Sequence, residues 1–173
     1  PNFYFYKIIN KDGHEFNGII AGASALDYQN NIIRKHESTL LKKEVLFEQY
    51  LKIVGFNSEP VLLTYPDNKE LEEILETAMQ SRPEYEFTTT DKKSHELWLI
   101  DGAKKINEIV KEFEQLDNIY IADGHHRIAS CSLFQKSNPK HEKGNYFLSL
   151  FINQNDLKIF EFNRIVKDIG TLS

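Results

Sequence analysis

One cysteine, Cys131, is all that the 173 residues contain, and a single thiol forms no internal disulfide. An oxidising compartment therefore offers this chain no stabilising cross-link. No run approaches the roughly 18 apolar residues of a membrane-spanning helix, and no charged, apolar, small-residue sequence opens the chain as a secretory signal does. Cations are in deficit, with 21 Lys and Arg against 26 Asp and Glu and a formal net charge of −5. Non-specific nucleic-acid binding rests on clustered cations that replace counterions, so a nucleic-acid partner is not expected. A cytoplasmic location is.

Several motifs are also missing. There is no Gly-x-x-x-x-Gly-Lys-Ser/Thr phosphate loop, no Gly-x-Gly-x-x-Gly, no Cys-x-x-Cys and no Gly-x-Ser-x-Gly. The pair His36-Glu37 does not extend to a zinc-protease His-Glu-x-x-His, because position 40 is leucine.

What is present suits an ordinary folded protein. The composition is 40% hydrophobic and 27% charged, with 12 Phe and 8 Tyr, which separates it from disordered and collagen-like chains. The length fits a single α/β domain over residues 1–173, with a sub-boundary near 101–104. The chain opens at Pro1 without an initiator Met and stops soon after Ile165-Val166, so both ends read as cuts through a longer protein.

Hydrophobic periodicity and turn residues place the elements. Residues 3–9 and 16–23 are β-rich runs around Lys11-Asp12-Gly13, a hairpin turn. A helix is predicted from Ser38, as N-cap, to Val54, with Gly55 as its stop. A strand over 60–65 follows. Leu71, Ile74, Leu75, Ala78 and Met79 fall on one stripe of a helix between Asp67 and Ser81. Residues 84–90 and 94–100 pair as a second hairpin, and Ile106, Ile109, Val110 and Phe113 mark another amphipathic helix. Residues 118–122 form a short apolar strand, 127–135 a helix, and 145–153 with 157–163 a last hairpin. Strands, hairpins and helices mixed in this way predict an α/β (α+β) fold, a mixed sheet with packed helices.

The densest polar cluster, Asp123-Gly124-His125-His126-Arg127, lies between the predicted strand and helix. A helix start presents backbone N–H groups without intrahelical partners and the positive end of the dipole, a ready site for phosphate. Gly124 permits close approach to the backbone, Arg127 can grip two phosphate oxygens with one planar fork, and His125 and His126 add donors. Asp123 can hold a metal ion or accept a proton. The plainer reading is that Asp123 caps the helix while both histidines face solvent.

A second cluster, His36-Glu37-Ser38-Thr39, opens the earlier helix, with Glu37 a candidate general base. Its plainer reading is a capped, charged helix start. His14, His95 and His141 read as structural or solvent-exposed, and Cys131 as a small buried hydrophobe.

Three motifs carry a resemblance. Lys35-His36-Glu37-Ser38-Thr39, then Ile119 to Arg127, then Phe162-Asn163-Arg164-Ile165-Val166 occur in the order found in a large uncharacterised family of bacterial and archaeal cytosolic proteins, whose middle portion the chain resembles. More distantly, residues from about 106 to 162 resemble the ParB/sulfiredoxin superfamily, so that a unit of this kind is expected over about 104–163. There a Gly-x-x-Arg segment opening a helix binds nucleotide phosphates. Its members include CTP-binding partition proteins, ATP-using sulfiredoxins and kinases of free serine.

Thr39 and Arg164 are further cofactor-binding candidates, and the resemblance implies phosphate contacts from Gly124 and Arg127, with His125 and His126 in the same turn. It implies a catalytic or magnesium-associated role for Asp123, beside His36 and Glu37. The sulfiredoxin cysteine is absent from the His125-His126 position, and the basic DNA-reading surface of the partition proteins is absent too. The expected function is therefore a nucleotide-dependent phosphotransferase or nucleotidase. It would act on a small hydroxylated metabolite such as free serine, with ATP, ADP or CTP and Mg2+, and Glu37 would take the proton of the attacking hydroxyl. Two alternatives stand beside it. One is a metal-dependent hydrolase using Asp123, His125, His126 and His36; the other is a non-catalytic nucleotide-sensing module.

Overall fold

The computed structural model describes residues 2–159 and 161. Its frame is one eight-stranded mixed sheet, as the alternation of elements predicts. The first hairpin forms from β1 (Phe3–Ile9) and β2 (Glu15–Ser24), paired antiparallel from Tyr4–Ile20 to Ile9–Glu15. Gly13, with φ of 80°, supplies the left-handed residue that this turn requires. A short helix α1 (Ala25–Gln29) follows, capped by the Ser24 hydroxyl, which accepts from the Leu26 and Asp27 N–H groups at 3.2 and 3.3 Å.

Strand β3 (Ile33–Arg34) leads to helix α2 (Leu41–Val54), which ends in left-handed Gly55. The predicted start at Ser38 is corrected by the structure: the N-cap is Leu40, and no side chain caps the helix. Tertiary contacts explain the shift. The Leu40 N–H donates to His126 Nε2 at 3.4 Å, and His36 packs edge-on against His125, so residues 36–40 lie against a later helix instead of continuing their own.

Next come β4 (Val61–Tyr65), α3 (Lys69–Met79) with Asn68 as its cap, the hairpin β5 (Tyr85–Thr88) and β6 (Ser94–Ile100), and α4 (Ala103–Glu114). The last third holds β7 (Ile119–Asp123), α5 (His125–Ser137) and β8 (Tyr146–Asn153). The strand order is β3-β7-β4-β8-β2-β1-β6-β5. Parallel pairing joins β3 to β7 and β4 to β8, and the other pairs are antiparallel.

The predicted hairpin of 145–153 with 157–163 does not form among the described residues. Strand β8 has β2 on one edge and β4 on the other, so neither edge is left for a hairpin partner. Residues 160, 162 and 163 of that expected strand lie outside the described residues.

Helix α5 packs against α1 and α2, and α3 against α4. The core includes an aromatic chain in which the rings of Tyr65 and Phe151 meet Phe113 of α4 at 5.2 and 5.0 Å. Burial of such large rings is the main stabilising term here. Among the described residues no helix is long and apolar enough to cross a membrane.

Candidate functional site

The site is built where β7 gives way to α5. The expected four-residue turn from Asp123 to His126 is corrected to a single residue: Asp123 still belongs to the strand and His125 already belongs to the helix. Gly124 alone makes the junction, with φ of 95° and ψ of 27°, a conformation that side-chain-bearing residues seldom adopt. The apolar strand ends and the helix begins within one step because glycine can reverse the backbone so sharply.

Gly124 is also the N-cap, and no side chain caps α5. The first intrahelical bond runs from the Ile128 N–H to the Gly124 carbonyl at 3.1 Å. The N–H groups of His125, His126 and Arg127 precede it and have no acceptor within the helix. Asp123 does not cap the helix, since its Oδ2 turns instead to Arg127 Nη2 at 2.5 Å.

Arg127 is held from three sides. Besides Asp123, its guanidinium donates to the Pro60 carbonyl and lies 3.4 Å from Glu59 Oε2. It spreads over Gly124: a Cβ at that position would sit 3.2–3.3 Å from the guanidinium atoms. Arg127 thus straps the segment before β4 onto the start of α5. Nothing in the sequence singled out Glu59, and Pro60 was expected to open the strand over 60–65, which the structure instead starts at Val61.

On the other side of the junction stand the residues of the earlier motif. Glu37 Oε2 is 3.8 Å from His125 Nδ1, and Glu37 Oε1 is 3.9 Å from His36 Nε2. The rings of His36 and His125 meet edge to face at 4.4 Å. The two motifs, distant in sequence, are therefore brought together.

Their environments differ. His125 is buried at 6% exposure, with its Nε2 lacking a partner, whereas the side chains of His36 and Glu37 are mostly exposed. Burial first, and then the neighbouring His36, hold the His125 imidazole below its ordinary pKa, with Glu37 and Asp123 opposing. His125 is accordingly a neutral ring at neutral pH. The Glu37 carboxylate, beyond hydrogen-bond reach of either imidazole, keeps its acceptor capacity.

The remaining candidates fall elsewhere. Thr39 donates to Glu44, and both line a cleft of about 360 Å³ with Lys35 and Tyr28, beside the junction rather than at it. Arg164 lies outside the described residues. The three other histidines hold local contacts: His95 with the Tyr6 hydroxyl at 2.6 Å, His141 accepting from the Gly144 N–H at 3.1 Å, and His14 against the Phe16 ring. Cys131 is buried, its thiol bonded to Asn57 Oδ1 at 3.2 Å and pushed by burial up to about 12, which makes it no nucleophile.

A larger cleft, about 650 Å³, opens between α2 and α5 and includes Arg127, Ser130 and Cys131 in its wall. Among the described residues no group of three or more His, Cys, Asp or Glu side chains is arranged to hold a metal ion.

No curated protein and no solved structure matches the chain. A family model described as "Protein of unknown function (DUF1015)" matches residues 1–173, the whole of the chain, and the protein belongs to that family.

Proposed function

We propose that the start of α5 binds the phosphates of a nucleotide and that the protein is a phosphotransferase acting on a small hydroxylated metabolite, with free serine a candidate acceptor. The observation that carries this reading is the uncapped N-terminus of α5, with Arg127 spread over Gly124 on one side and Glu37 on the other. A helix with its first N–H groups unclaimed by any side chain is suited to an anion. The likeness of the Gly124-to-Arg127 segment to the ParB/sulfiredoxin superfamily points to the same ligand.

The roles divide by environment. The α5 N–H groups and Arg127 bind phosphate charge already present in the ground state. Glu37, exposed and free to accept, takes the proton of the acceptor hydroxyl as it attacks phosphorus. His36 and His125 flank that carboxylate at 3.9 and 3.8 Å.

Magnesium is suited to this donor set. It is commonly held by one or two carboxylates together with substrate phosphates, not by an all-protein cage. Asp123 and Glu59 are both engaged by the Arg127 guanidinium, so Mg2+ would arrive on the nucleotide phosphates and draw on these carboxylates only as phosphate takes their place at Arg127. When bound, it supplies neutralisation of phosphoryl charge. Hydrolysis through Asp123, His125 and His126 is less favoured. Asp123 is turned onto Arg127 and His126 accepts from Leu40, so their donor atoms are directed to separate protein partners.

A thermal-shift panel of ATP, ADP and CTP, with and without Mg2+, tests the proposal. A ligand at a hundred times its dissociation constant stabilises a fold by roughly 2.7 kcal/mol. The expected result is stabilisation by a nucleotide that grows with Mg2+, followed by product formation with a hydroxylated acceptor. Stabilisation by metal alone, with none from any nucleotide, overturns it. Tight nucleotide binding without turnover on any acceptor reduces the protein to a nucleotide sensor.

A further inference from the structure

The cleft between α2 and α5 has no role in phosphate binding, yet it shares a wall with that site. Along α5 the residues that face it are Arg127, Ser130 and Cys131, which fall on one stripe of the helix. They begin at the phosphate-binding end and descend about one turn, roughly 6 Å, at 1.5 Å per residue. Opposite them, α2 contributes Phe47 and Tyr50, each 41% exposed, one turn apart on the same face.

Between the helices the segment after Gly55 adds the amide of Asn57 and the carboxylate of Glu59. The lining is thus mainly apolar and aromatic, with a few polar groups at its edge and a guanidinium at its mouth. A cleft of about 650 Å³ is the size that takes a small organic ligand.

We infer that this cleft holds the nucleoside of the same nucleotide, the base lying against Phe47 and Tyr50 with the phosphates emerging past Arg127 onto the start of α5. The inference rests on the phosphate-binding reading and extends it. Three features favour a nucleoside over the acceptor metabolite. A small polar molecule such as serine cannot fill the volume or use the aromatic faces, whereas a base has two flat π-faces and a polar edge. Asn57, its Oδ1 engaged by the Cys131 thiol, keeps its amide N–H donors for that edge, and Glu59 stands in the lining beside Arg127, where sugar hydroxyls would lie. The wall itself is unreactive: the Cys131 thiol is protonated and engaged by Asn57, and the Ser130 hydroxyl donates to the His126 carbonyl at 2.5 Å.

The test compares ligands that share a triphosphate chain and either carry a nucleoside or lack one. Calorimetry with Mg2+ measures ATP, CTP and inorganic tripolyphosphate on the wild-type chain and on Phe47→Ala and Tyr50→Ala. Both side chains are partly exposed, so two independent variants guard against loss of fold, which a thermal melt checks. The expected result is that a nucleotide binds wild type more tightly than tripolyphosphate does. Each variant should then lose roughly five- to a hundredfold in nucleotide affinity, the range for loss of one base-stacking contact, with tripolyphosphate affinity unchanged. Nucleotide and tripolyphosphate binding alike, with folded variants that change neither, overturns the cleft assignment and leaves the phosphate site standing. Failure of both ligands to bind wild type removes the phosphate site and this inference with it.

Discussion

Glu37 Oε2 lies 3.8 Å from His125 Nδ1, which sets an exposed carboxylate against a buried, neutral imidazole at the head of α5. The separation is too long for a hydrogen bond, so Glu37 is positioned without being consumed. Its proposed task arises only as the acceptor attacks. Glu37→Gln should therefore leave nucleotide affinity nearly unchanged and slow turnover by about 10²–10⁴-fold. Calorimetry and a product assay on the same preparation check this. Loss of nucleotide binding in Glu37→Gln would reassign the residue to the binding site.

Arg127 has two functions, and its removal should show in two measurements. Arg127→Ala should weaken nucleotide binding by about 1.5–3 kcal/mol, the range for a hydrogen bond to a charged group. It should also lower stability in urea without ligand, because the Pro60 carbonyl and the carboxylates of Asp123 and Glu59 lose their shared partner. A variant as stable as wild type would show that the strap contributes nothing to the fold.

Gly124→Ala tests the junction itself. A φ of 95° places any Cβ in a strained region, at a cost of about 1–2 kcal/mol. The new methyl would also press on the Arg127 guanidinium at 3.2–3.3 Å. Denaturant melts should report the destabilisation, and tripolyphosphate affinity should fall as Arg127 is displaced. Full stability with unchanged anion affinity would contradict the geometry of this turn.

A pH-dependent stability effect is expected far from the site. Asp67, Glu72 and Asp156 crowd one another beside buried Asn153, whose amide donates to Asp67 at 3.0 Å and to Glu72 at 2.8 Å. Burial first, and then Asp67, raise the Asp156 carboxyl above its ordinary range, with His14 opposing. A raised folded-state pKa means that the folded chain holds the proton more tightly than the unfolded one. The associated stability is present below the unfolded pKa, about 4, and is lost as pH rises through the raised folded value. Asp156→Asn should therefore be more stable than wild type at pH 7, and the gap should shrink as pH falls towards 4. Urea melts across that range decide it. A gap that does not depend on pH would detach the effect from this carboxyl.

Much of the secondary structure was legible because it depends on neighbours in sequence. Asp12-Gly13 set the first turn, Gly55 ended α2, and the stripe of Leu71, Ile74, Leu75, Ala78 and Met79 marked α3. The importance of the Asp123-to-Arg127 cluster was legible too, since a polar run after an apolar strand implies a strand-to-helix junction. The errors fell where distant residues intervene. Ser38 looked like a cap, but His125 and His126 draw residues 36–40 away from that geometry. The strand expected after β8 had no edge to join, because β2 and β4 already occupy both.

By itself, then, the sequence determined the local elements, the change from strand to helix after residue 122 and the residue types that gather at it. These follow from backbone sterics and periodicity, which act over a few residues. Only the tertiary structure decided that Glu37 stands beside His125, that Asp123 turns to Arg127 and leaves α5 uncapped, and that Phe47 and Tyr50 face Cys131 across a cleft. Those relations depend on strand order and helix packing. Residues far apart in the chain meet there because burying the sheet and its helices in one arrangement minimises exposed apolar surface, a condition no short window of sequence contains.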